Sequence, residues 1–347
     1  MTRLFGAKNP AQSLSLPGSS LVTLSLRGGF RMAFNRNGLA PFLFTCGLLL
    51  VSALSATAQE KPPKLPEPED INRETKDGVA LKMTYFAGTH GKKSVPLILL
   101  HGWDGQRGDM EALALRLQSL GHAVVTLDLR GHGQSMKYKA IEKGEIVYKD
   151  LDRNTFRPVD VQSMTQDIET AKRFLLEKNN AGECNIEALG IVACDVSCLL
   201  AMRWSILDWS APVLPSFKQG QDVKALVLLS PVNSFKGLSG TDFMANQSTR
   251  KFLSIMLVAG NEESKSLGEA KRLQSKLQQF HPKPSGDRDL DRKNLDLFLV
   301  TPDTQLQGSK LLSRALVVNN NIANFLSLRL VEKQDQYSWS DRKNPLE

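Results

Sequence analysis

The sequence predicts an α/β fold, a mostly parallel central sheet with helices on both faces. Three observations carry this expectation. Short apolar runs alternate with amphipathic stretches along most of the chain, the order expected of successive βα units. Several of those runs are continuously apolar, as in VPLILL at residues 95–100, which marks strands buried on both faces. With 347 residues and 41% hydrophobic content, the chain is long enough for one sizeable core, and one large domain suits it better than two small ones.

Residues 78–87 (GVALKMTYFA) alternate as a strand, and residues 95–100 supply the next one. A helix is expected over 109–120, then a strand over 122–129 (HAVVTLDL). The polar stretch that follows, to about residue 160, has weak periodicity and reads as a long loop. Met164, Ile168, Ala171, Phe174 and Leu175 are spaced for one helical face, which predicts a helix over 161–178. The remainder reads as strand 185–193, helix 197–209, strands 223–229 and 252–258, helix 267–280, strand 295–300 and a terminal helix around 311–330.

Residues 39–54 (LAPFLFTCGLLLVSAL) form an apolar run preceded by Arg31 and Arg36. Ala56-Thr57-Ala58 follows it and has the small-x-small form of a signal peptidase site. The expectation is a signal peptide within residues 1–58, with an N-terminal extension if the true start is Met32, and so an exported protein, periplasmic or secreted. The alternative is an uncleaved anchor at residues 39–54, which is short against a span of about 20 residues. Membrane contact is expected only in that case. Thr45 before Cys46 matches a lipoprotein signal poorly. Residues 59–70 (QEKPPKLPEPED) are rich in proline and charge, which marks a linker, and the folded domain is expected over 71–347.

The formal net charge of +8 is partly a property of the leader. Residues 1–58 hold Arg3, Lys8, Arg27, Arg31 and Arg36 and no acidic residue, leaving 39 basic against 36 acidic residues beyond them. A mild excess spread through a domain gives no footprint for a polyanion, so nucleic acid is set aside. Cleavage would leave Cys184, Cys194 and Cys198, an odd count that permits at most one intramolecular bridge. The simpler expectation is that they are small buried hydrophobes. No Cys/His spacing suggests zinc, no glycine-rich phosphate loop follows a strand, and no cofactor is implied.

Leu99-Leu100-His101-Gly102-Trp103 ends a buried strand, and Asp128-Leu129-Arg130-Gly131-His132-Gly133-Gln134-Ser135 follows the next. Thr75-Lys76-Asp77-Gly78 precedes the first alternating strand. In this order and spacing the motifs, across residues 75–330, resemble the α/β-hydrolase superfamily, in particular its serine aminopeptidase and esterase-like members. That resemblance implies a fold without a large cap domain here, because the interval 230–251 is short. It also implies a binding role for the His101-Gly102 turn, and an oxyanion hole from the backbone N–H groups of Trp103 and Val196. Fixed N–H dipoles serve that purpose because negative charge develops on the substrate oxygen during attack.

Members of that family carry a nucleophile where a strand turns sharply into a helix, flanked two residues away on each side by small residues. Here only Asp195 satisfies the spacing, between Ala193 and Ser197. Ser197 and Cys194 as the centre would place larger residues at the flanks. An aspartate can attack directly in some members, but its ester must then be hydrolysed by water that a histidine activates. The loop where the family keeps that histidine reads TPDTQLQGS at 301–309 and has none. His281 is expected before the last strand, at the opposite end of the sheet. The acid position falls on Glu262 or Glu263, with Glu263 matching the spacing better.

Three function classes follow. The first is a catalytically degenerate, exported protein that binds a small molecule or a protein in the former active-site cleft. The second is a working hydrolase of esters, peptides or epoxides in which Asp195 attacks or positions water and Glu263 assists. The third is an envelope-associated interaction protein, supported only by the proline-rich linker and the polar loop 136–159. Asp195 itself has a structural alternative, a helix-start carboxylate stabilised by the helix dipole.

Overall fold

The computed structural model describes residues 64–212, 214 and 218–343. The expected signal segment, its cleavage site, the start at Met32 and Cys46 lie outside the described residues. β1 (Glu69–Glu74) pairs antiparallel with β2 (Ala80–Phe86), from Glu69 opposite Tyr85 to Glu74 opposite Ala80. The strand takes in Glu69 and Asp70, which the sequence reading assigned to the linker. Its EDINRE composition is almost wholly polar and its side chains are exposed apart from a half-buried Ile71, so no apolar period announces it.

β3 (Pro96–Leu100), α1 (Glu111–Gln118) and β4 (Ala123–Asp128) follow close to expectation. The stretch read as a long loop instead contains a hairpin, β5 (Lys137–Glu142) and β6 (Glu145–Asp150). Its turn is the dipeptide Lys143-Gly144, with φ of 52° and 87°, a mirror-image turn whose twist suits paired strands. Alternation was masked there because apolar residues fall on both faces of the ribbon. The helix expected over 161–178 is divided into α2 (Pro158–Ser163), opened by its proline, and α3 (Thr165–Asn180).

β7 (Leu189–Cys194), α4 (Val196–Trp209) and β8 (Val223–Leu229) form the centre of the domain. Between β8 and the next sheet strand lie only the two-residue strands β9 (Ser234–Phe235) and β10 (Leu238–Ser239) and the short helices α5 (Thr241–Ala245) and α6 (Thr249–Phe252). No large cap is built there. β11 (Ser254–Val258), α7 (Ser264–Leu277), α8 (Arg288–Asn294), β12 (Leu297–Val300) and α9 (Val318–Leu326) complete the fold. The terminal helix expected around 311–330 begins later, at Val318, after a separate 3-10 turn over Gly308–Leu312, and continues beyond Leu326 as a π-helical turn over Ser327–Val331.

The sheet runs β1-β2-β4-β3-β7-β8-β11-β12. β1, β2 and β4 pair antiparallel, and every pair from β4 to β12 is parallel. Successive side chains of β3 go to opposite faces. Ile98 and Leu100 join one core cluster with Ile168, Phe174 and Trp204, while Leu97 and Leu99 join the other with Leu113, Ile322 and Phe325. Burial on both faces is why these strands read as unbroken apolar runs. Both clusters draw on residues between Leu81 and Leu330, so a chain beginning at Gln59 carries all the core residues found among the described residues. Cys184, Cys194 and Cys198 are buried and unbridged.

Candidate functional site

The turn from β7 into α4 places one residue in a strained conformation. Asp195 sits at the apex with φ 51° and ψ −119°, a backbone region costly for a residue with a side chain, of order 1–3 kcal/mol. The small neighbours let the surroundings close around it. Ala193 is fully buried, and Ser197 is buried with its Oγ donating to the His101 carbonyl at 2.5 Å. That bond ties the first turn of α4 to the end of β3. The Asp195 N–H donates to the Leu229 carbonyl at 2.9 Å, which registers the apex against β8.

Gly102 comes from the end of β3 and Gly308 from the loop after β12, and each packs against the Asp195 carboxylate. A Cβ at either glycine would overlap Oδ2. Gly308 has φ 57°, so a side chain there would be strained as well as crowded. Burial raises the Asp195 pKa to about 6, reinforced by Asp104 and partly offset by Lys310. The loop is fastened by Ser230, whose hydroxyl donates to Gln307 Oε1 at 2.6 Å and accepts from the Gly308 N–H at 2.8 Å.

His101, expected to have a binding role, is buried, and both its ring nitrogens are engaged by backbone groups. Its Nε2 accepts from the Leu129 N–H at 3.1 Å, so Nδ1 carries the proton and donates to the Gly102 carbonyl at 2.7 Å. Burial lowers its pKa to about 4, which agrees with a neutral ring. The Gly102 carbonyl also accepts from the Gly105 N–H at 3.0 Å. Two donors on that oxygen fix the plane of the peptide whose other end is the Trp103 N–H. The Trp103 carbonyl is held in turn by Arg153 Nη1 at 2.5 Å and His132 Nε2 at 2.7 Å.

Gly102, Trp103, Asp195 and Val196 therefore meet in one cleft of about 810 Å³. Neither the Trp103 nor the Val196 N–H has an acceptor among the described residues. The other expected residues lie elsewhere. Glu263 is the cap of α7, its carboxylate accepting from the Lys265 N–H at 3.1 Å and the Ser266 N–H at 2.6 Å, and it does not line the cleft. His281 Nδ1 donates to the Asp296 carboxylate at 2.7 Å, and Asp296 immediately precedes β12, at the end of the sheet opposite the elbow.

The cleft also contains residues that the sequence reading missed. Asp104 and Asp109 follow the His101-Gly102 turn, and Phe235 on β9 packs on Trp103 with ring centroids 4.6 Å apart. Gln305, Leu306, Gln307, Ser309 and Lys310 come from the last loop. In the sequence the only signal for them is adjacency to the motifs, and the last loop, which has no histidine, carries no pattern that marks its glutamines or Lys310 as cleft-lining.

Among solved structures the chain is similar to an esterase from Pyrococcus furiosus, with 14% identity over 76% of this chain and 91% of that one, at a TM-score of 0.52. It is also similar to an esterase from the fungus Rhizomucor miehei, with 16% identity over 78% of this chain and 86% of that one, at a TM-score of 0.50. No protein-family model matches the chain. A search of curated proteins found no match either. Together with the sheet order and the elbow, the structural likeness establishes the α/β-hydrolase fold. At this identity the likeness speaks for the fold, and function has to be argued from the site.

Proposed function

We propose that the protein is an exported α/β-hydrolase-fold protein that binds a small molecule in the Asp195 cleft without turning it over. The observation that carries this reading is the packing of Gly308 on the Asp195 carboxylate, in the loop where the superfamily keeps its histidine. No histidine lines the cleft. His101 has both ring nitrogens engaged by backbone groups, His132 lies between two carbonyls, and His281 pairs with Asp296. An ester formed on Asp195 would therefore lack a base to activate the water that releases it. Export rests on the apolar run and small-x-small site of residues 39–58.

The cleft lining carries the carboxylates of Asp104, Asp109 and Asp195 and the cation Lys310, beside the Trp103–Phe235 pair; Arg153 pairs with Asp104 at 3.2 Å, and Lys236 stands over the Trp103 ring. With Asp104 paired to Arg153, the Asp109 and Asp195 carboxylates are the acceptors left for a ligand, which favours one carrying an amine or another hydrogen-bond-donating group. A second reading, an active hydrolase with Asp195 as nucleophile, is favoured by one feature. The elbow keeps its strained backbone and two free N–H groups, a cost that a simple helix start would not need to bear.

The chain from Gln59 and its Asp195→Asn variant would be assayed on activated esters, aminoacyl amides and epoxides, with intact-mass analysis for a covalent adduct. Thermal shifts with primary and quaternary amines would run in parallel. Binding of an amine without turnover, weakened in the variant, is the expected result. Turnover that disappears in the variant would overturn the binding reading in favour of the hydrolase.

A further inference from the structure

The β5–β6 hairpin shows an exposed face and an unpaired edge that the Asp195 cleft does not explain. Ile141, Ile146 and Tyr148 are 76%, 58% and 59% exposed. Ile141 lies opposite Ile146, and Lys139 lies opposite Tyr148, so the three apolar side chains share one face of the ribbon. That face is turned to solvent, the reverse of the usual apolar-in arrangement of a two-sided sheet.

The hydrogen-bond phase of the ribbon shows which groups are free. The Lys139 N–H donates to the Gly78 carbonyl at 2.7 Å, away from β6. Lys139 and Tyr148 are therefore a non-hydrogen-bonded pair, and Tyr148 turns its own N–H and C=O outward. Ile146 and Asp150, two residues to either side, do the same. None of these groups has a backbone partner among the described residues beyond the hairpin. An edge of this kind is a template for another strand.

We propose that this edge pairs antiparallel with β6 of a second copy of the chain, giving a two-fold dimer with a continuous four-stranded ribbon. The sequence of β6, EIVYKD, is self-complementary in one register that also satisfies the hydrogen-bond phase. Val147 meets Val147 of the second copy on the axis, Ile146 meets Tyr148, and Glu145 meets Lys149. Outward-facing residues pair with outward-facing residues, opposite charges stand opposite one another, and the apolar faces of the two hairpins merge. The register shifted by two residues, with Tyr148 on the axis, would set Ile146 against Asp150 and leave Glu145 without a cation.

Sedimentation velocity on the chain from Gln59 should show a reversible monomer–dimer equilibrium. Lys149→Glu should abolish the dimer by opposing two acids, as should Glu145→Lys by opposing two lysines, and the double swap should restore it. Val147→Cys supplies a second readout. Residues facing each other in a non-hydrogen-bonded pair have Cα atoms about 4.5 Å apart, within disulfide range, so mild oxidation should link the dimer through that position. The native cysteines are buried and should not compete. A chain that stays monomeric at high concentration, with no cross-link through Val147→Cys, would overturn the proposal. So would a dimer indifferent to both charge reversals. A monomer that instead floats with phospholipid vesicles through Ile141, Ile146 and Tyr148 would assign the face to a lipid surface and overturn it equally.

Discussion

The Ser230 hydroxyl donates to Gln307 Oε1 at 2.6 Å and accepts from the Gly308 N–H at 2.8 Å, so one side chain at the end of β8 seats the loop after β12 on the elbow. Ser230 is itself in a positive-φ conformation, 51°, and nearly buried. The loop it holds carries Gly308 against Asp195. Backbone of that loop, rather than a side chain, is thus what packs on the Asp195 carboxylate.

Gly308→Ala should destabilise the protein by about 1–3 kcal/mol, because the new methyl meets the Asp195 carboxylate and the φ of 57° disfavours a side chain. Ser230→Ala should cost about 1–3 kcal/mol by leaving the buried Gly308 N–H unpaired. Urea unfolding would give both values. An unchanged midpoint for Gly308→Ala would mean that the loop moves aside freely.

Asp195 makes a pH-dependent contribution with a definite sign. Its pKa rises from an ordinary 3.8 to about 6 in the folded chain, chiefly through burial. Below both values the carboxyl is protonated in both states and costs nothing. As pH rises from 3.8 through 6, the folded state must ionise a buried acid, and stability falls. Asp195→Asn should therefore stabilise the protein by about 1–3 kcal/mol above pH 7, an advantage that shrinks to near zero below pH 4. Melting temperatures of the two proteins from pH 4 to 8 would test this. A difference independent of pH would locate the effect in the backbone strain at the apex instead.

Much of this fold was legible in the sequence because β3, β7 and β8 are buried on both faces and must be continuously apolar. The apex was legible because crowding at a strand-to-helix turn demands small residues at fixed offsets, which Ala193 and Ser197 supply. β1 was not, since an exposed edge strand such as EDINRE needs no apolar face. The β5–β6 hairpin was missed because Ile141 and Val147 fall on opposite faces of the ribbon. Asp104, Phe235 and Lys310 reach the cleft only through tertiary packing, and no local pattern marks them. Gly308 was in plain view, but its role depends on the Asp195 carboxylate lying against it, more than a hundred residues away in sequence.

His101 is held neutral, protonated on Nδ1, by the Leu129 N–H at one nitrogen and the Gly102 carbonyl at the other. Burial lowers its pKa and that of His122 to about 4, with His90 adding to the effect at His122. Both rings should show no titration between pH 8 and 5 in histidine-selective NMR, and His101 should show the nitrogen shifts of the Nδ1–H tautomer. Because folding depresses these pKa values, their contribution to stability is complete above about pH 6.5 and is lost as pH falls towards 4. A His101 that titrates near 6.5 would mean that the Gly102 peptide plane is not fixed by a neutral ring.

Asp195→Ser should not produce an esterase. The substitution places a hydroxyl at the strained apex, beside the Trp103 and Val196 N–H groups, which is the arrangement a serine nucleophile needs. A serine hydroxyl, unlike a carboxylate, needs a base to become nucleophilic near neutral pH. No imidazole lines the cleft, and the ring nitrogens of His101 and His132 already serve backbone groups. Hydrolysis of an activated ester by Asp195→Ser should stay at the level of the parent chain, with no burst of acyl-enzyme. A burst would require another base, and Lys310 is the one titratable cation in the lining. Repeating the measurement with Lys310→Met in the same background would then decide whether the cleft kept a base that its histidines do not supply.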